Sequence, residues 1–188
     1  MDIVARAKGL ITRPGEEWRT IAGEPSETAG LFKGYVMPVA AIPVVAGFIG
    51  MAIFVSMFAD VLPGFSIAGL LVQSVVSYIL GLAAVWVFGK VAQALAPRFG
   101  GTGEEVPAMK LAAYSPTAMW LAGVFALVPP LSLLTLLGLY SLYILYKGVP
   151  AVLRVPEDKA LVFTLALVVC AIVINLLVIL VISPLLAF

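Results

Sequence analysis

The chain has 188 residues, of which 63% are hydrophobic and 11% charged, with a net charge of +1. A soluble domain is roughly a quarter charged, so a water-soluble globule is excluded, and the near-neutral balance gives no basis for nucleic-acid binding. One cysteine, Cys170, and no histidine exclude an internal disulfide and Cys/His zinc sites.

The first eighteen residues have neither the apolar core nor the small-residue cleavage site of a leader, and none is expected. Residues 2–12 are amphipathic at helical spacing, with Ile3, Val4, Ala7, Leu10 and Ile11 on one face. Arg6 and Lys8 flank that face, where they would reach anionic headgroups. The segment is either an interfacial helix or one packed on the protein's own cytoplasmic face. Pro14 opens a second short helix with Glu16 and Glu17 in its first turn, and Gly23 ends it. Trp18 and Ile21 share a face there. Trp18 is expected to anchor at the membrane interface, with packing against the spans as the alternative.

Uncharged runs mark the membrane domain. They cover 34–59, 61–89, 111–146 and 160–188, each long enough to cross about 30 Å of hydrocarbon at ~1.5 Å per residue. Pro38 and Pro43 should kink the first, marking either a hinge or a tolerated bend. In the second, Gln73, Ser77, Gly81 and Ala84 form one narrow row. The third would be about 54 Å long as a single helix, and Pro129-Pro130 lies near its middle. Two adjacent prolines remove two backbone donors, which predicts a hairpin with arms 111–128 and 131–149, the latter short unless Lys147 snorkels. Asn175 lies mid-way along the last run. Buried amides need partners, so Gln73 and Asn175 are expected to bond across the bundle, as helix–helix glue or as a polar lining. Ala46-x-x-x-Gly50 and Ala122-x-x-x-Ala126 permit close helix approach. Pro156-Glu157-Asp158 suits the start of the last helix.

Charge parity favours five spans, at about 34–59, 61–89, 111–128, 131–149 and 160–186. All 11 basic residues then fall on one side, the cytoplasmic side by the positive-inside rule, with the C-terminus opposite and Asp60 the only charge on the far side. The expected fold is an all-α polytopic bundle of five transmembrane helices, divided into a cytoplasmic amphipathic segment, 1–33, and a membrane domain, 34–188. No span core carries Asp, Glu, Lys or Arg, which argues against a proton-coupled pump. No nucleophile has a base beside it, so neither an enzyme nor a cofactor is expected.

Tyr114-Ser115-Pro116 and Gly138-Leu139-Tyr140-Ser141-Leu142-Tyr143 resemble the Yip (Ypt/Rab-interacting protein) membrane family in its bacterial branch. The likeness continues through Tyr146-Lys147-Gly148-Val149-Pro150 and Val155-Pro156-Glu157-Asp158-Lys159-Ala160, and takes in Arg13-Pro14, Trp18, Ile21, Gly34-Tyr35-Val36-Met37-Pro38 and Ile42-Pro43. It implies a helical domain of four to five spans with a cytoplasmic N-terminus, in the bacterial inner membrane. Eukaryotic members associate with small GTPases. This chain lacks their long N-terminal region and their acidic Asp-Leu-Tyr-Gly-Pro motif, so GTPase binding does not carry over. Tyr114, Ser115, Pro116, Tyr140 and Tyr143 carry the pattern most clearly, and Tyr140 and Tyr143 share a helical face. The expected function is a membrane scaffold or adaptor, with lipid, further copies of the chain or other membrane proteins as partners. The alternative is a small channel, facilitator or lipid transporter, motivated by the kinks at Pro38 and Pro43 and by polar Gln73, Ser77 and Asn175.

Overall fold

A computed structural model of the chain describes residues 2–57 and 66–183. Asp60, the loop around it and the C-terminal end lie outside those residues. The described part is all-α, and four of its helices are long and apolar enough to cross a membrane: Thr28–Met57, Ile67–Phe99, Pro130–Leu153 and Glu157–Ile182.

Two short helices lead, α1 (Ile3–Thr12) and α2 (Pro14–Gly23). The Asp2 carboxylate caps α1 by accepting from the Val4 and Ala5 amides, and Pro14 takes the first position of α2, where no donor is lost. The first long helix begins as α3 (Thr28–Leu31), widens into a π-turn over Phe32–Val36 and continues as α4 (Met37–Met57). The π-turn has a local cause. Pro38 lacks an N–H and its ring crowds the carbonyl four residues back. Widening the preceding turn, with the Met37 amide reaching back to the Phe32 carbonyl, relieves that clash. Pro43 stays within α4. The second long helix is α5 (Ile67–Leu95), closed by a 3₁₀ turn over Ala96–Phe99.

The run 111–146 folds as a hairpin turning at Val128, which is extended, just before the two prolines. Neither arm is a plain helix. The first comprises α6 (Glu105–Tyr114), a break at Ser115-Pro116, α7 (Thr117–Ala122) and a 3₁₀ turn over Gly123–Leu127. The expected helix over 111–128 is therefore corrected: among the described residues four helices are long and apolar enough to cross, and this broken arm is not one of them. Pro116 cannot donate to the Ala112 carbonyl, which is the physical reason for the break. The second arm is a 3₁₀ helix over Pro129–Leu139 followed by α8 (Tyr140–Leu153). At about 2.0 Å per 3₁₀ residue and 1.5 Å per α residue this arm spans about 43 Å, so its shortness in sequence is no obstacle to crossing. Small or polar residues recur every third position, at Ser132, Thr135, Gly138 and Ser141, which is the period of a 3₁₀ helix. Gly138 lies against Met119, and the Met119 amide donates to the Ser141 hydroxyl, 2.9 Å.

The last helix, α9 (Glu157–Ile182), starts one residue later than a proline at the first helical position implies. Pro156 is its cap, and Glu157 and Asp158 sit in its first turn. Packing follows the small residues. Gly50 of α4 meets the Ala126 and Leu127 carbonyls and Gly123 lies against Pro43, so the two small-residue rows do meet. Central α5 packs on α4, α6 and α9. Hydrogen bonds draw the charged segments to one end of the bundle. Lys90 pairs with Glu105 at 2.9 Å, Lys110 reaches the Ile21 and Glu24 carbonyls, and the Thr102 amide reaches the Leu153 carbonyl.

Candidate functional site

The charged end is organised around Trp18 and Arg6. Trp18 is fully buried, and its Nε1–H donates to the Ile144 carbonyl of α8 at 2.9 Å. Gly148 makes room for it, since a Cβ there would stand 2.6 Å from the indole Cε2. The Trp18 ring meets Tyr114 edge-on at 6.1 Å, and Tyr114 packs on Tyr35 at 4.7 Å. The Thr117 hydroxyl gives its one proton to the Tyr114 carbonyl, so the Tyr35 hydroxyl must be the donor in the 2.8 Å bond between Tyr35 and Thr117.

Arg6 is 8% exposed. Its guanidinium donates to Glu17 and to both Glu24 oxygens at 2.5–2.6 Å and lies 5.7 Å from the centre of the Tyr114 ring. Burial disfavours its charge, but the bond to Glu24 and the Glu24 and Glu17 charges outweigh that, and its pKa stays above the ordinary value. Lys110 shows the opposite balance. Burial pushes its pKa down, Glu24 restores part, and Arg6 adds to the lowering. An open cavity of about 1020 Å³ sits beside this cluster, lined by Asp2, Arg6, Glu17, Glu24, Glu27 and Tyr114 among others.

A second cavity of about 240 Å³ lies among the long helices. Gly81 and Ala84 of α5, Ser115 and Pro116 at the break, Ser141 of α8 and Asn175 of α9 line it. Ser115 is 4% exposed, and its hydroxyl has no hydrogen-bond partner among the described residues.

These positions correct several expectations. Trp18 and Arg6 take the packing alternative: the indole is core, and the guanidinium is buried and held by two carboxylates. Lys8 is exposed, and so is Val4, which does not share the buried side of Ala7 and Leu10. Tyr114 is 1% exposed, packed between Trp18 and Tyr35. Tyr140 and Tyr143 do share a face, with ring centres 5.4 Å apart, and the Tyr140 hydroxyl donates to the Ile11 carbonyl at 3.1 Å. Asn175 does not bond across the bundle. It is exposed, and its amide donates to the Ala171 carbonyl in its own helix at 2.9 Å. Gln73 and Ser77 are half-buried on α5 and do not line the Asn175 cavity. Pro38 is exposed and Pro43 half-buried against Gly123. Sequence reasoning missed Tyr35, Thr117 and Lys110 as partners in the charged-end cluster. For Lys110 the signal was there, as a lysine directly abutting an apolar run.

A helical bundle with its charges gathered at one end and long apolar helices beyond defines a polytopic integral membrane protein. Residues 8–180 match the Yip1 domain, and the chain belongs to that family. It is 31% identical over 162 residues to the inner membrane protein YohC of Escherichia coli K12, covering 83% of each chain, and equally similar to YohC of the O6:H1 strain. No solved structure matches.

Proposed function

We propose that the protein is a non-enzymatic adaptor of a bacterial inner membrane, offering a rigid cytoplasmic platform to partner proteins. The observation that carries this is the seating of the N-terminal helices. Arg6 clamped by Glu17 and Glu24 fixes α1 to α2, and Trp18 bonded to Ile144 fixes α2 onto α8. A cavity lined by Asp2, Arg6, Glu17, Glu24 and Glu27 among others lies beside the clamp at the charged end, and preformed sites bind at lower entropic cost. The relatives named as inner membrane proteins support the location.

In this reading the charged end faces the cytoplasm, in keeping with the positive-inside rule, and the C-terminus lies opposite. The broken arm over 111–128, from the end of α6 through α7 and its 3₁₀ extension, crosses as a fifth pass beside the four continuous helices. Residues 1–33 form the platform and 34–188 the membrane domain. The transport alternative is weaker, because Asn175 faces one cavity while Gln73 and Ser77 do not line it. A photo-crosslinking amino acid at Ser26, which lines the cavity, tests the adaptor reading in native membranes. It predicts one recurrent partner protein. Capture of the protein itself and nothing else contradicts it.

A further inference from the structure

The cavity between α5, α8 and α9 carries two polar groups that the chain itself leaves wanting. The Ser115 hydroxyl is buried without a partner among the described residues. Asn175 lies about 27 Å along α9 from Glu157 at ~1.5 Å per residue, well inside the apolar part of the helix. Among the described residues its amide makes a single hydrogen bond, to its own helix. Amide groups in hydrocarbon cost several kcal/mol when unsatisfied, so this arrangement calls for something from outside the chain. Apart from Ser141, whose hydroxyl already accepts from the Met119 amide, the remaining lining is apolar, with small residues Gly81 and Ala84 next to Phe88 and Leu145. A cleft of about 240 Å³ is too narrow for a helix of 10–12 Å diameter, whereas a single methylene chain fits.

We propose that this cleft is a phospholipid site. One acyl chain lies over Gly81 and Ala84, and an ester oxygen of the same lipid accepts from the Asn175 amide and, after a χ1 rotation, from the Ser115 hydroxyl. The site goes beyond the adaptor reading and does not depend on it, since it lies among the membrane helices and uses none of the platform residues. Gly81 supplies a clean block. A Cβ there meets nothing within 4 Å, so a larger side chain grows into the cleft without displacing its neighbours. Trp120 supplies the reporter, being 9% exposed and lining the cleft.

The experiment uses the full chain carrying Trp86→Phe, because Trp86 is 47% exposed and would report on lipid at large. Trp18 remains as a shielded background. A phosphatidylcholine with a brominated acyl chain is titrated into the purified protein in detergent micelles, and tryptophan fluorescence is read. The expected result is saturable quenching at about one lipid per chain, abolished by Gly81→Leu. Ser115→Ala, which barely changes shape, should raise the half-saturating lipid concentration roughly fivefold, the loss of one hydrogen bond. Quenching that rises without saturation, that is equal in Gly81→Leu and its parent, or that never appears because protein covers the cleft, overturns the proposal. None of these outcomes bears on crosslinking from Ser26, so the two readings fail separately.

Discussion

The two ends of this bundle are built by different rules. At the charged end, Trp18, Tyr35, Tyr114, Ile144, Leu153 and Phe163 are all essentially buried, as in a soluble core. Toward the other end of α9 the large side chains Leu176, Leu177, Ile179, Leu180 and Val181 are all exposed. Only 6% of the most apolar stretch of α9 is buried, against 44% for Pro130–Leu153. The difference follows from the solvent. Lipid tails are as apolar as leucine, so nothing drives those side chains inward. Where the helices leave the hydrocarbon, water restores the drive, and α1 and α2 fold over the exposed ends.

Substitutions should therefore cost most at the charged end. Trp18→Ala removes a fully buried indole and its hydrogen bond to the Ile144 carbonyl, and should lower stability in detergent by about 3–5 kcal/mol, read as a large fall in the melting temperature. Arg6→Met leaves two carboxylates facing each other. Because Glu17 and Glu24 are 22% and 38% exposed, solvent softens the loss, and about 2 kcal/mol is expected, while Lys8→Met should stay within about 0.5 kcal/mol. A cost for Lys8→Met as large as that for Arg6→Met, seen only with anionic lipid, would restore the lipid-anchor reading of this segment.

Leu176→Ala leaves no internal cavity and should cost under about 1 kcal/mol, and Asn175→Leu should be close to neutral in delipidated protein because, among the described residues, the amide bonds only its own helix. If either matches Ile144→Ala, the contrast between the ends fails. The smallest expected effect is electrostatic. Lys110 has a lowered pKa when folded, so the unfolded chain binds more protons between that value and 10.5, and stability rises with pH across this window. Lys110→Met should remove that rise when its alkaline titration is compared with the parent's.

The distinction between the ends was only partly legible in the sequence. The four long apolar helices, the turn before Pro129-Pro130 and the extents of α1 and α2 follow from charge gaps, prolines and apolar spacing, whereas the break at Ser115-Pro116 does not. The period of three at Ser132, Thr135, Gly138 and Ser141 was present but hidden, because leucine fills every position between except Tyr140 and makes any helical period look apolar. Trp18 was ambiguous in principle, since an indole suits both a membrane interface and a core. Only the three-dimensional approach of Gly148 and the Ile144 carbonyl decides it. Arg6 was misread because its partners, Glu17 and Glu24, lie on other segments, beyond any local spacing rule. Asn175 was misread because a side-chain amide in a helix can return to the carbonyl four residues back as readily as cross to a neighbour.

The central claim is that the N-terminal helices are an integral part of the folded charged end. Hydrogen–deuterium exchange on the full chain in nanodiscs of neutral lipid tests this most directly. The account predicts that the amides of the last turns of α1 and α2, where Leu10 and Ile21 are buried, are protected to the same order as those of Tyr140–Leu153. Exchange of those turns within seconds, or protection that appears only when anionic lipid is added, would contradict it.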